Sequence, residues 1–332
     1  MARTHIPAAV LDAAHARAAA RTERRWEEAD RLRDGIEAAG WKIVDRGTDF
    51  ALSPAEPPTV ESEGVVRYGS SSAVPSRLDE PATAEASVIL VATDWPSDLD
   101  RALVALDRHA PDSTHMVIVA DTPSPEQEAA LDASAPDAAA ARPTEVVRTS
   151  SRLGQAAALN VGIRRTAGRI VVVLDTSVEP AGDIVTRLVR ALDDPSVAVA
   201  GGWGIVSDDL RRFRDAPQGD VDAVEGYAIA FRREDAAARG PLDERFRFYR
   251  NLDIWWSLVL RDEGEDRPPR RAVAVELPAL RHEHRGWASV PEAERDRLSK
   301  RNFYRILDRF GHRRDLAGGD RSAETPPRRR PG

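Results

Sequence analysis

Hydrophobic residues in the first 52 positions follow a helical spacing and then an alternating one. Residues 7–39 predict two helices, because the apolar side chains of the second segment, from Trp26 to Ile36, fall three or four positions apart. Gly40 ends the second helix, since glycine readily adopts the left-handed conformation that closes a helix. The pattern of residues 41–52 then predicts a short β-hairpin.

From residue 86 onward, short apolar runs alternate with amphipathic segments. The runs of strand length are 88–92, 116–120, 146–147 and 170–174, and the helical segments are 99–108, 126–133, 155–166 and 184–192. This alternation predicts an α/β fold with a doubly wound sheet, mostly parallel strands and helices on both faces. Because ligands of such sheets bind at the carboxyl ends of the strands, we expect the functional residues directly after the apolar runs.

Local composition divides the chain into four segments. We expect residues 1–53 to form the helical hairpin with its β tail. Residues 54–84 are rich in proline, serine, glutamate and glycine, which is typical of a linker. Residues 85–312 form the expected α/β domain, and residues 313–332, with three consecutive arginines, predict a disordered tail.

The overall composition excludes several classes of protein. The 332 residues include 48 Lys and Arg against 55 Asp and Glu, a net charge of −7, and no cysteine. The absence of cysteine excludes disulfides, thiolate nucleophiles and Cys-ligated zinc, and it fits a reducing cytoplasm. The longest apolar run, 170–174, is far shorter than the roughly 20 residues of a membrane-spanning helix. We therefore expect a cytoplasmic protein with no transmembrane segment that does not coat nucleic acid.

Two common nucleotide-binding motifs are absent from the sequence. There is no Gly-x-x-x-x-Gly-Lys-Ser/Thr loop, and the glycine-rich run 201–204 lacks the third glycine of a dinucleotide fingerprint. Both a P-loop NTPase and a Rossmann dehydrogenase are therefore disfavoured. The remaining candidates are the polar residues that follow the apolar runs, namely Thr93, Asp94, Asp121 and Asp175.

The order of these residues resembles that of the inverting glycosyltransferases of family 2 over residues 86–311. The segment 119–124 is similar to the family's Val-Asp-Asn-Gly-Ser motif, and 152–163 is similar to its Asn-x-Gly-x-x-x-Ala-x-Asn-x-Gly-Ile motif. The resemblance implies a GT-A fold with a mixed sheet and a nucleotide-activated sugar as donor. The residues that it assigns to the donor are Thr93, Asp94, Asp121, Gly154, Asn160, Asp175 and Ser177.

The metal-binding motif of the family is altered in this chain. Family members use Asp-x-Asp to bind Mg²⁺ or Mn²⁺ on the donor diphosphate, whereas these positions are Asp175-Thr176-Ser177 here. A later segment resembles the family's histidine-containing loop, which makes His282 and His284 candidate metal ligands together with Asp175. Three alternatives stay open: a weak metal site, a metal-free site that uses arginine, and an inactive site.

The resemblance makes Asp253 the candidate general base. It stands where the family usually has Glu-Asp-x-Asp-Leu, and an acid of that segment takes the proton of the acceptor hydroxyl. Asn251 replaces the upstream acid. A competing interpretation is that Asp253 only caps a helix or complements its dipole. The sequence leaves the acceptor open among a glycan, a lipid-linked molecule and a small molecule.

Residues 17–54 resemble the C-terminal helical hairpin of bacterial cysteinyl-tRNA synthetases, chiefly through residues 26–41. That resemblance implies contact with RNA, but the segment has no basic stripe, which favours a packing or dimerisation module. Three functions therefore remain: an inverting glycosyltransferase, a protein that binds a nucleotide sugar or glycan without turnover, and an RNA-associated adaptor that uses the hairpin.

Overall fold

A computed structural model describes the chain in two compact units. The described residues are 6–47, 49–54, 57–92, 94–133 and 142–318. The units are Met1–Thr59 and Val60–Gly332. Thr93, one of the predicted donor contacts, lies outside the described residues.

The smaller unit contains the predicted pair of helices followed by a β-hairpin. Its elements are α1 (Ala8–Thr22), α2 (Trp26–Ala38), β1 (Trp41–Arg46) and β2 (Asp49–Pro54), with β1 and β2 antiparallel. Apolar side chains of α1, α2 and β1 form its core. Gly40, with a φ of 77°, makes the left-handed turn from α2 into β1. Arg17 of α1 donates two hydrogen bonds to Asp45 of β1, which joins the helix to the hairpin.

The larger unit is built around a mixed sheet of ten strands. The strands of this unit are β3 (Val60–Ser62), β4 (Val65–Tyr68), β5 (Ala84–Ala92), β6 (His115–Ala120), β7 (Thr144–Thr149), β8 (Gly168–Leu174), β9 (Val178–Pro180), β10 (Val197–Gly201), β11 (Gly204–Val206), β12 (Arg214–Ala216), β13 (Gly219–Val221), β14 (Ala223–Val224), β15 (Ala228–Arg232), β16 (Arg271–Ala274) and β17 (Ala279–Arg281). The order in the sheet is β13-β16-β10-β15-β8-β5-β6-β7-β4-β3. Strands β8, β5, β6, β7 and β4 are parallel, whereas β15 is antiparallel to β8. The predicted α/β fold with a mixed sheet is confirmed.

Helices cover both faces of this sheet. They are α3 (Pro96–His109), α4 (Pro125–Ala133), α5 (Gln155–Arg165), α6 (Val185–Ala191), α7 (Arg233–Arg239), α8 (Leu252–Arg261), α9 (Arg285–Ala288) and α10 (Glu292–Phe310). The alternation of side chains along a strand separates two hydrophobic cores. Val117 and Val119 of β6 belong to the core that includes α5 and α8, whereas Met116 and Ile118 belong to the core that includes α3 and α6. Among the described residues, no helix is both long and apolar enough to cross a membrane.

Two segments differ from the predictions made for them. Residues 60–68, inside the expected linker, form β3 and β4, and β4 pairs with β7, so that β3 becomes the edge strand of the sheet. Residues 314–316 of the expected tail form a 3₁₀ turn, where Leu316 is buried and Arg313 pairs with Asp262 and Asp315. Both segments are ordered by distant partners, which short local patterns do not reveal. The division into domains stays a prediction.

Candidate active site

Three of the predicted carboxylates lie at one edge of the sheet. Asp94, Asp121 and Asp175 follow β5, β6 and β8, which are neighbouring parallel strands. Their carboxyl ends therefore meet at the same edge, and all three residues line a cavity of about 260 Å³. Gly154 and Ser177 line the same cavity. The structure thus brings together the described donor-contact candidates apart from Asn160.

Asp121 fixes the loop that follows β7. Its Oδ1 accepts hydrogen bonds from the backbone N–H of Leu153 at 2.7 Å and from Oγ1 of Thr149 at 3.1 Å, and its Oδ2 accepts one from the N–H of Gly154 at 3.1 Å. Burial raises the pKa of Asp121, while these hydrogen bonds oppose the increase. The carboxylate therefore shapes one wall of the cavity.

Gly154 permits a close backbone approach at the start of α5. Its φ is 94°, and an added Cβ would lie 2.9 Å from Cα of Arg247. Asn160, on the same helix, donates to the carbonyl of Leu242 at 2.9 Å and accepts from the N–H of Leu242 at 2.8 Å. Its amide thus joins α5 to the segment that precedes α8, and its part in donor binding stays a prediction.

The same cavity contains arginines that the sequence did not single out. Arg152 forms a bidentate ion pair with Asp94, at 2.8 and 3.1 Å, and donates to the carbonyl of Thr122. Arg247 and Arg285 also line the cavity. Arg152 stands at the first position of the predicted donor motif, which was the available signal. Arg152 and Arg285 are paired with carboxylates of the same cavity, Asp94 and Asp98, so a diphosphate that binds these guanidinium groups would share them with those carboxylates.

Asp175 is held by three hydrogen-bond donors. The backbone N–H and the hydroxyl of Ser177 donate to Oδ1 at 2.9 and 2.5 Å, and Nε2 of His284 lies 3.3 Å from Oδ2. Burial opposes the charge of Asp175, but His284 and Ser177 outweigh burial and lower the pKa of the carboxyl. Burial likewise opposes the charge of His284, but Asp175 outweighs it and raises the pKa of the imidazole.

The two candidate histidines have different partners. His284 precedes α9 and stacks on Tyr249, with ring centroids 4.4 Å apart, whereas Nε2 of His282 lies 2.7 Å from a carboxylate oxygen of Glu179. Both histidines lie in the three-residue segment between β17 and α9, where His282 follows the strand and His284 caps the helix. Only His284 therefore contacts Asp175.

Asp175 and His284 could supply two of the ligands that a divalent ion needs. No group of three His, Cys, Asp or Glu residues in the described part of the chain is arranged to hold a metal. A carboxylate and an imidazole are both acceptable ligands for Mn²⁺, and further oxygen atoms would have to come from elsewhere. The site therefore suits an ion that the protein shares with a diphosphate.

A second cavity, of about 470 Å³, adjoins the first one. Both cavities are lined by Asp175, Gly226, Tyr249 and His284. Asp253 lines only the larger of the two. Asp175 and His284 therefore stand where the two cavities meet.

Asp253 lies in the first turn of α8. Its two carboxylate oxygens accept hydrogen bonds from the N–H groups of Gly226 and Ile254, each at 2.9 Å. Burial raises the pKa of Asp253 against the effect of these bonds. Glu225 lines the same cavity, and burial raises its pKa as well. The sequence patterns gave no reason to select Glu225 as a functional residue.

Known proteins resemble the larger unit in sequence and in fold. Residues 87–251 match the family model described as Glycosyl transferase family 2. No curated protein sequence matches the chain. The structure of GalNAc-T7 with UDP, GalNAc and Mn²⁺ matches at a TM-score of 0.54 and 16% identity, over 69% of this chain and 48% of that one. This similarity shows a GT-A fold.

Two further solved structures match less well. A mannosyltransferase of Pyrobaculum calidifontis, in complex with GDP-Man and Mn²⁺, is 18% identical over 61% of this chain and 57% of its own, at a TM-score of 0.46. TarS of S. aureus is 11% identical over 68% and 72%, also at 0.46. The chain thus spans about half the length of the first two structures. The comparisons give no support to the resemblance of residues 17–54 to cysteinyl-tRNA synthetases, which stays a prediction. Residues 87–251 form a glycosyltransferase family 2 domain.

Proposed function

We propose that the larger unit transfers a sugar from a nucleotide diphosphate sugar to an acceptor hydroxyl, with inversion at the sugar carbon. The observation that carries this proposal is the junction of two cavities at Asp175 and His284. The smaller cavity has the predicted donor residues, and the larger one has Asp253 as a half-buried carboxylate. This arrangement gives a donor and an acceptor separate approaches to one reaction centre.

The smaller cavity suits the nucleotide diphosphate. The loop that Asp121 fixes supplies its wall, and the arginines supply N–H donors that phosphate oxygens would share with Asp94 and Asp98. Asp175 and His284 would hold Mg²⁺ or Mn²⁺, and the bound ion would neutralise negative charge on the leaving diphosphate. Arg152 is already oriented by Asp94, so little side-chain freedom is lost when a phosphate binds.

Asp253 is proposed as the general base. A raised pKa makes a carboxylate a better proton acceptor near neutral pH, because catalysis is most efficient when the pKa approaches the operating pH. The acceptor oxygen forms a bond to the sugar carbon while the bond from that carbon to the phosphate oxygen breaks. The electron pair leaves with the diphosphate, and the hydroxyl proton passes to Asp253.

Release of nucleoside diphosphate tests the proposal. UDP-, GDP- and dTDP-sugars are incubated with the protein and candidate alcohols, with and without Mn²⁺. Asp253→Asn is expected to lower the release rate by about 10²–10⁴-fold while nucleotide binding persists. Asp266→Asn, at an exposed position, is the matched control. Failure of every nucleotide to bind at millimolar concentration refutes the proposal. Binding without release under all conditions favours a nucleotide-sugar-binding protein instead, an alternative that Ser177 and Asn251 motivate.

A further inference from the structure

The cavity of about 470 Å³ extends from an exposed polar rim into the hydrophobic core. Arg250 and Glu283 at the rim are exposed, and Asp253 lies between the rim and the interior of the protein. The inner wall is formed by buried side chains of α5, β15, α8 and the segment before α8, each at most 5% exposed. These are Ile163, Ile229, Phe231, Leu242, Leu252 and Trp256. The cavity is therefore amphipathic, and Asp253 is one of the carboxylates of its polar part.

This volume exceeds what a packed core leaves unfilled. Protein interiors pack like organic crystals and contain few voids larger than a water molecule, because an empty apolar cavity is destabilising. Sites for small molecules have volumes of roughly 300–1,000 Å³ and mostly apolar walls. The inner part therefore has the size and the lining of a ligand site.

We propose that this inner part holds the apolar body of the acceptor, so that the acceptor is an alcohol or phenol with a hydrocarbon or aromatic group and its hydroxyl lies at Asp253. This inference rests on the proposed function, because that function supplies the role of the hydroxyl. Of the three acceptor classes that the sequence left open, it excludes a free glycan as the group that fills the inner part.

A free glycan does not suit the inner wall. A sugar ring carries several hydroxyls, and each buried hydroxyl without a partner is destabilising. Of the six inner side chains, only Trp256 has a polar atom, the indole N–H, which has no hydrogen-bond partner in the described part of the chain. One hydrogen-bond donor cannot satisfy the several hydroxyls of a sugar, whereas a hydrocarbon group needs no hydrogen-bond partner.

Binding of straight-chain alcohols tests the inference without any nucleotide. Dissociation constants of 1-butanol through 1-octanol are measured by calorimetry on the full chain. If the alkyl chain enters the cavity, each added methylene strengthens binding about fourfold until the cavity is full. Affinity that does not change with chain length overturns the proposal. Displacement of 1-octanol by methyl glucoside at equal concentration also overturns the proposal.

Variants that fill the cavity provide the second arm. Leu242→Trp places a larger side chain in the inner wall, and Leu280→Trp makes the same change at a position that is 57% exposed. We expect Leu242→Trp to weaken 1-octanol binding at least tenfold and Leu280→Trp to leave it unchanged. If Leu242→Trp does not fold, Ile163→Phe makes a smaller change in the same wall. Unchanged octanol affinity in the folded wall variant overturns the proposal.

Nucleotide binding, measured in parallel with UDP and GDP in the presence of Mn²⁺, separates the two proposals. If nucleotides bind but alcohols show no dependence on chain length, the acceptor inference fails and the transferase proposal survives. If alcohols bind in the cavity but no nucleotide binds, the proposed transfer fails, and with it the assignment of the alcohol as an acceptor.

Discussion

Asp121→Asn tests whether a buried carboxylate organises the donor cavity. Oδ1 of Asp121 accepts hydrogen bonds from Leu153 and Thr149, and Oδ2 accepts one from Gly154. Asparagine has nearly the same size but only one acceptor oxygen. If that oxygen keeps the bonds at Oδ1, the NH₂ group faces the N–H of Gly154. One hydrogen bond is lost, and two donors oppose each other.

The expected loss of stability is about 1–2 kcal/mol at pH 7. Leaving a buried donor without its partner costs about 1–3 kcal/mol, and a bond to a charged acceptor is stronger than a neutral one. The neutral amide recovers part of this cost, because burial disfavours the charged form of Asp121 and raises its pKa. The net change is therefore smaller than the loss of the hydrogen bonds alone.

The pH dependence gives an independent check on the sign. A folded pKa above the ordinary value of 3.8 means that the folded protein holds this proton more tightly than the unfolded chain does. The contribution of Asp121 to stability is therefore larger in acid and decreases as the pH rises through the folded pKa. Since asparagine does not titrate, the deficit of the variant grows as the pH falls towards 4.

Urea denaturation followed by tryptophan fluorescence measures both effects. Asp112→Asn is the control, since the side chain of Asp112 is 92% exposed. The melting-temperature shift caused by UDP or GDP is measured on the same samples and is expected to decrease in Asp121→Asn, because the loop is displaced. The reasoning is refuted if the variant matches the wild type in stability at both pH 7 and pH 4.5.

Three further substitutions test neighbouring contacts. His284→Ala removes the partner of Asp175. Because the pKa of His284 is raised, its pairing stabilises the folded protein below the ordinary value of 6.5, and because the pKa of Asp175 is lowered, its pairing does so above the ordinary value of 3.8. The loss of stability in the variant should therefore be largest between these two pH values, and a loss independent of pH contradicts the pairing. Gly154→Ala should destabilise by about 1–3 kcal/mol in urea titrations, more than Gly264→Ala, which has a similar φ but no contact within 4 Å; equal losses argue against the close approach. Ser177→Asp should lower the melting temperature without Mn²⁺ and increase the stabilisation by Mn²⁺; an unchanged Mn²⁺ response contradicts the assigned site.

The sequence predicted β5, β6 and β8, which are buried along most of their length. β6 and β8 consist of apolar runs with helices on both faces, so their pattern is strong and local. β4 was not predicted, because its four half-buried residues are ordered by pairing with β7, more than 70 positions away. Short, half-buried strands such as β4 depend on partners that a local pattern does not contain.

The same distinction applies to the site. The positions of Asp94, Asp121 and Asp175 followed from the topology, since the carboxyl ends of neighbouring parallel strands meet. The pairing of Arg152 with Asp94 and the place of Glu225 in the larger cavity join segments that are far apart along the chain. They depend on loop conformations, which apolar periodicity does not determine.

The proposed metal site has Ser177 where the family's motif has a second carboxylate, which changes the charge of that site. With Ser177 in the Asp-x-Asp position, the protein contributes Asp175 as its one carboxylate there, and His284 contributes an imidazole that can carry positive charge. Two carboxylates would attract a divalent cation more strongly than this pair does. A diphosphate adds negative charge and oxygen ligands at the same place, so the cation gains most of its attraction after the nucleotide arrives. We therefore expect the complex of protein and donor to bind the metal ion more tightly than the protein alone does.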